Sequence, residues 1–195
     1  MAYVTQHSET AMTAPLSHNS ILHTAYMADA LAINQRIVSS YNLLREEDWL
    51  RRSHFFGGRY ENLYLDHDRI PELKQILEQA SIYASILLGK AESSLKRGFW
   101  LNEMHPGQST SKHDHDEDDE LLSAVYYIHV PEQSGQLIIH DKHSRTEVDP
   151  VPGMFVFFGP TVMHSVSANQ SGEKRLSMAM NFGPATTSQH LVVWN

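Results

Sequence analysis

Arg175-Leu176-Ser177-Met178-Ala179-Met180-Asn181-Phe182 alternates without a break. In a strand, successive side chains point to opposite sides. Arg175, Ser177, Ala179 and Asn181 therefore share one face, and Leu176, Met178, Met180 and Phe182 the other. The apolar face calls for a core. The small, polar face is unusual for a barrel interior unless something occupies the space beside it. This strand closes a longer stretch, Phe99 to Phe182, built from short apolar runs: Leu121-Leu122-Ser123-Ala124-Val125-Tyr126-Tyr127-Ile128, a turn at Gly135, and Gly153-Met154-Phe155-Val156-Phe157-Phe158. From Gly98 to Asn195 about seven strand candidates are separated by Gly, Pro and Asn turns. Helix signals stop before it.

Working upstream, two helices are expected. Tyr26, Ala30, Ile33, Ile37, Tyr41 and Leu44 recur at three and four, which predicts a helix from Ile21 to about Leu44. Pro71 suits a first helical turn, Leu73, Ile76, Leu77, Ala80, Ala84 and Leu87 make one stripe, and Gly89 is placed to end it. Between them, Gly57-Gly58 reads as a turn feeding a strand through Leu65. Its alternation puts Glu61, Leu63 and Leu65 on one side, and Arg59 or Glu61 is a candidate for the rim of a substrate mouth. Helices followed by a run of short strands give an α+β chain with a β-sandwich or barrel core. We expect one domain over 1–195, with a loose tail over 1–17 and the barrel core at 98–183.

Composition narrows the chemistry. A net charge of -8 disfavours a nucleic-acid backbone as partner, because like charges repel. With no cysteine there is no disulfide, thiolate site or cysteine nucleophile, which suits a reducing cytosol. No stretch approaches the roughly 18 apolar residues of a membrane helix, and Met1 to Ser20 lacks signal-peptide order. A cytoplasmic protein that avoids membranes and nucleic acid is expected. An exposed sheet edge, or the terminal run Leu191-Val192-Val193-Trp194, could support a homodimer.

Thirteen histidines make position matter more than number. His113 and His115 are two apart and share a face if the chain is extended. His164 lies 51 residues after His113, beyond the Met154–Phe158 run and the Gly159-Pro160 turn, so it can return to the same place; Arg175 follows 11 residues later. Neutral imidazoles bind iron, zinc and copper. Asp114, Asp116, Glu117, Asp118, Asp119 and Glu120 read first as a solvated acidic loop. The alternative is that Asp114, Asp116 or Glu117 supplies a carboxylate ligand. Arg175, with a hydroxyl two residues on at Ser177, can form a carboxylate cradle, and Tyr127 could donate to the same anion. His105, His129, His140 and His143 look like surface or turn residues.

The ordered set Trp100-x-Asn102, Gly107, His113-x-His115, Leu122 to Tyr127, Gly135-Gln136-Leu137, Gly153 to Phe158, His164, Arg175-x-Ser177 and Asn181-Phe182 resembles the Fe(II)- and 2-oxoglutarate-dependent oxygenases, in particular their bacterial and phage branch. The resemblance covers about Gly98 to Gly183. It implies a double-stranded β-helix (a jelly-roll, cupin-like barrel) supported by two N-terminal helices. It implies His113 and His164 as iron ligands, with His115 standing where most of the superfamily has Asp or Glu. Arg175, with Tyr127 and Ser177, would hold the distal carboxylate of 2-oxoglutarate, and Asn102 joins the cosubstrate-binding set. The implied cofactors are Fe(II) and 2-oxoglutarate. The implied activity is a dioxygenase that couples 2-oxoglutarate decarboxylation to oxidation of a small molecule or a protein side chain. Two other readings stand beside it: a cupin-like three-histidine metalloprotein that does not use 2-oxoglutarate, and a non-catalytic binding module.

Overall fold

A computed structural model describes residues 22–115, 119–141 and 144–185. The expectations for the tail at 1–17, for Asp116, Glu117 and Asp118, for His143 and for Leu191–Trp194 fall outside the described residues.

In chain order the elements are β1 (Leu22–Tyr26), α1 (Ala30–Tyr41), β2 (Trp49–Phe56), β3 (Arg59–Leu65), α2 (Glu72–Leu88), β4 (Leu95–Met104), β5 (Thr110–His113), β6 (Leu122–His129), β7 (Leu137–His140), β8 (Arg145–Val148), β9 (Met154–Phe158), β10 (His164–Val166) and β11 (Arg175–Pro184). They form a larger sheet ordered β1-β9-β6-β11-β4-β3-β2 and a smaller one ordered β5-β10-β7-β8. All the pairings are antiparallel. This is the expected double-stranded β-helix.

β11 sits in the middle of the larger sheet, and its two faces do different work. Met178, Met180 and Phe182 are wholly buried and pack with Ile37, Leu73, Ile76 and Ala80 of the two helices. A second apolar cluster, Tyr127, Leu137, Ile139, Met154, Val156 and Phe158, draws on β6, β7 and β9, so it bridges the two sheets. Burying each of these large side chains contributes about 1.5–3 kcal/mol. α2 follows the expected design: Pro71 stands at its N-cap and Gly89, at φ 62°, at its C-cap. Among the described residues no helix is long and apolar enough to cross a membrane.

The first helix differs from expectation. Leu22–Tyr26 is a strand, paired from Leu22↔Phe158 to Tyr26↔Met154, and the helix begins only at Ala30. The physical reason is the neighbour. β9 is five buried residues long and pairs with β6 on one edge; without β1 the backbone polar groups of its other edge would be buried without partners. Tyr26, assigned to the helical stripe, is 59% exposed, whereas Ile33, Ile37 and Tyr41 are buried as expected. β2 is a second addition. Gly57 and Gly58, both at positive φ, turn a hairpin rather than merely opening a strand. Among the described residues eight strands run from Leu95 to Pro184, where about seven were expected.

α1 does more than cover the sheet. Asn34 Nδ2 donates to the Tyr127 carbonyl at 3.4 Å and its Oδ1 accepts from Tyr126 at 2.9 Å. Gly153, at φ 87°, lets the helix approach: a Cβ there would stand 2.5 Å from that of Ala30. Tyr127 is thereby fixed from behind.

Candidate metal centre

His113 ends β5 and His164 begins β10, and the two are direct partners in the ladder of the smaller sheet. His115 lies just past β5, where its backbone N–H donates to the Pro160 carbonyl at 2.9 Å. That bond draws the chain after β5 onto the turn before β10. The three rings meet: centroids are 4.3 Å apart for His113 and His164, and 5.1 Å for His115 with either. One ring nitrogen from each lies within 4.8 Å of the others.

The tautomers are set by the backbone. His113 Nδ1–H donates to the Ser111 carbonyl at 2.8 Å, and His164 Nδ1–H to the Val162 carbonyl at 2.9 Å. Each Nε2 is left with its lone pair available to a metal. Burial, reinforced by the neighbouring His164, His113 and His54, pushes His115 down to about 3. Burial and His113 push His164 down to about 4, against the pull of its own bond to Val162. Both are neutral imidazoles at neutral pH, the form that ligates.

Asp114 lines the same cavity but is not one of the three groups that converge. Asp116 and Glu117 are outside the described residues. His105 is exposed, and His129 and His140 are partly so; none joins the converging group, although His140 lies beside β10, with its Nε2 2.8 Å from Ser165 Oγ. Among the described residues one other group could hold a cation, Asp66, His67 and Asp68. It is a surface turn in which Asp68 already pairs with Lys74.

The cavity has a volume of about 250 Å³. Asn102, Ser177 and Tyr127 form a row across its wall, because Ser177 pairs with Asn102 on β4 and with Tyr127 on β6. Arg175 stands two residues along β11, 3% exposed, with its Cζ 5.1 Å from the Tyr127 ring centre. Its Nη1 donates to the Gly135 carbonyl at 2.8 Å and the Ser134 carbonyl at 3.4 Å. Gly135 is required there. Its φ is 98°, and a Cβ would lie 2.4 Å from the Ser167 carbonyl oxygen. Burial pushes the guanidinium down; Tyr127 offsets this, and Arg59 adds to it. The Tyr127 hydroxyl is buried without a hydrogen-bond partner. Burial pushes its pKa up, so it remains a donor. A buried cation beside an unmet hydroxyl donor, with Ser177 alongside, fits a carboxylate.

Of the residues singled out from sequence, His113, His115, His164, Asn102, Tyr127, Ser177 and Arg175 all line this one cavity. Glu61 lines it too, with Arg59 behind it. Sequence reasoning missed His54. It lies within β2 yet has φ 55°, and Asn62 Nδ2 donates to its Nδ1 at 2.9 Å at the cavity wall. A single histidine in an aromatic, basic strand carries no signal of that kind.

A double-stranded β-helix that gathers three imidazoles and a buried arginine in one cavity has the donors to hold a metal ion and an anion side by side. Residues 99–183 match the family model described as the 2OG-Fe(II) oxygenase superfamily. That segment is similar to 2OG-Fe(II) oxygenase domains, and the match points to an enzyme with iron and 2-oxoglutarate as its cofactors. Solved structures agree in fold. A Pseudomonas putida prolyl-4-hydroxylase is 19% identical with a TM-score of 0.59, over 86% of this chain and 90% of that one. A Trichoplax adhaerens prolyl hydroxylase, in complex with a hypoxia inducible factor oxygen degradation domain peptide fragment, is 12% identical with a TM-score of 0.65, over 85% and 84%. EvdO2 from Micromonospora carbonacea var. aurantiaca, complexed with 2-oxoglutarate, is 15% identical with a TM-score of 0.62, over 87% and 89%. Comparison with curated proteins finds no match.

Proposed function

We propose that this protein is a dioxygenase of the hydroxylase type, coupling 2-oxoglutarate decarboxylation to oxidation of an organic substrate, with His113, His115 and His164 as its iron ligands. The observation that carries this reading is the convergence of three imidazoles in the same cavity as a buried arginine and an unpartnered tyrosine hydroxyl. The donor set suits iron: imidazole is a borderline ligand that binds it well, and three protein ligands leave coordination positions open. Bound iron with 2-oxoglutarate supplies oxygen activation; the chain supplies geometry. Ser111 and Val162 hold two of the rings in the ligating tautomer. Arg175 receives the distal carboxylate of 2-oxoglutarate, Tyr127 and Ser177 donate to it, and Asn102 borders it. Trp100 and Phe158, 5.7 and 4.7 Å from the rings of His115 and His164, keep water from the ligands.

Fe(II) binding and succinate release from 2-oxoglutarate test this. Native protein that binds no metal, or a His113→Ala variant that binds it equally well, defeats the reading.

One observation favours a second reading. The third converging group is His115, where the superfamily commonly has a carboxylate, and three histidines are also the donor set of a cupin-like metalloprotein that ignores 2-oxoglutarate. Arg175 discriminates. If Arg175→Ala leaves activity intact and calorimetry detects no 2-oxoglutarate binding, the second reading prevails.

A further inference from the structure

Arg59 and Glu61 take no part in the scheme above, yet they form a buried ion pair at the wall of the same cavity. Arg59 Nη2 is 3.1 Å from Glu61 Oε1, and the side chains are 9% and 8% exposed. The same nitrogen donates to the Ser109 carbonyl and to Thr110 Oγ1, each at 3.2 Å. Glu61 and Thr110 line the cavity together with Arg175, Ser177 and Asn102.

The sheet register says which end of the cavity this is. Leu63 pairs with Leu101, so Glu61, two residues earlier on the antiparallel strand, stands level with Glu103, between Asn102 and Met104. Asn102 pairs with Ser177, and Met104 with Arg175. Glu61 is therefore at the arginine end. A bare carboxylate there would oppose an anionic ligand, and in a buried site such repulsion is poorly screened. Arg59 is close enough to Arg175 to disfavour its charge, so the two guanidinium groups act on one region. Two further Arg59 nitrogens, Nε and Nη1, are buried without a partner. A guanidinium kept at that cost has a task.

We propose that Arg59 is a positioning residue for the anionic cosubstrate: anchored by its bond to Thr110, it holds Glu61 in an ion pair, cancels the one carboxylate buried at the arginine end among the described residues, and leaves Arg175 to a dicarboxylate. The proposal rests on the reading of Arg175 as the 2-oxoglutarate anchor.

The test is calorimetric titration of 2-oxoglutarate into Ni(II)-loaded protein, which needs no turnover. Arg59→Met should weaken 2-oxoglutarate binding tenfold or more and leave Ni(II) affinity unchanged. Adding Glu61→Gln to it should restore binding to within about threefold of wild type, and Arg59→Lys should stay near wild type. A merely structural role would not be rescued by a second substitution that removes a charge. Equal binding by wild type and Arg59→Met, or a double variant as weak as the single one, overturns the proposal. If Arg59→Met does not fold, Glu61→Gln alone decides: it should bind 2-oxoglutarate at least as tightly as wild type, and weaker binding overturns the idea. Wild-type protein that binds metal but no 2-oxoglutarate is a different result. It defeats the anchor reading itself, and this inference falls with it.

Discussion

His113 and His164 are cross-strand partners in the β5–β10 ladder, with ring centroids 4.3 Å apart, although 51 residues separate them in the chain. Directly opposed residues on one face of an antiparallel pair are the closest side-chain neighbours a sheet provides. The backbone register thus does much of the work of building the metal centre.

Removing either partner should abolish that centre. His113→Ala and His164→Ala are expected to lower metal affinity 100-fold or more, since even the groups that merely orient metal ligands are worth about 10–100-fold. His115→Asp should keep metal binding, because it leaves the His113–His164 pair intact and places a carboxylate where the superfamily commonly has one. Competition against a chelating dye checks all three. Wild-type affinity in His164→Ala would show that the ion is held elsewhere.

Metal-free protein should lose stability in mild acid. Unfolded histidine takes up a proton near pH 6.5. Folded His164 does so at about 4 and His115 at about 3. Between those limits the unfolded chain binds more protons, so stability rises with pH. The contribution is complete above about pH 6.5 and is lost as pH falls toward the folded values, at up to about 1.4 kcal/mol per pH unit for each group. Urea unfolding in the presence of chelator should give a lower midpoint at pH 5 than at pH 7. A His115→Gln/His164→Gln variant should show a flatter dependence. Identical midpoints in the wild type would contradict the neutral, buried assignment.

Tyr127→Phe separates stability from binding. Its hydroxyl is buried without a partner, so removing it should leave stability unchanged or raise it by about 1 kcal/mol. If that hydroxyl meets the cosubstrate carboxylate, affinity for 2-oxoglutarate should fall about fivefold or more. Unchanged binding in a folded variant would remove Tyr127 from the cradle.

Gly135→Ala should be costly in a way that reaches Arg175. The position has φ 98°, the added methyl collides with the Ser167 carbonyl, and the Gly135 carbonyl is the closer of the two Arg175 acceptors. We expect a loss of about 2 kcal/mol or more, of the size usual for strained backbone positions, together with weaker 2-oxoglutarate binding. A melting curve and a titration on the same sample check both.

What could be read from sequence divides along physical lines. The β11 alternation was legible because a strand with one packed face and one open face writes that difference at period two. The order of His113, His115, His164 and Arg175 was legible as spacing. Which neighbour of His113 turns inward was not, because the bond from the His115 N–H to Pro160 comes from a residue 45 positions later. β1 was misread as helix because Leu22–Tyr26 is too short to show a period, and only its pairing with β9 makes it a strand. The support that Asn34 and Gly153 give Tyr127 left no local trace. A polar residue on a helix and a glycine in a turn have many ordinary uses.

The register that sets His113 opposite His164 also bears on how the chain holds together. Any ion bridging those two rings would clip shut a long segment that includes β6, β7, β8 and β9. Such a clip stabilises chiefly by depriving the unfolded chain of loop freedom. Melting temperature should then climb with free metal concentration, as it does whenever a ligand binds only the folded form. In a metal-poor setting the same protein would be the softer target for proteolysis.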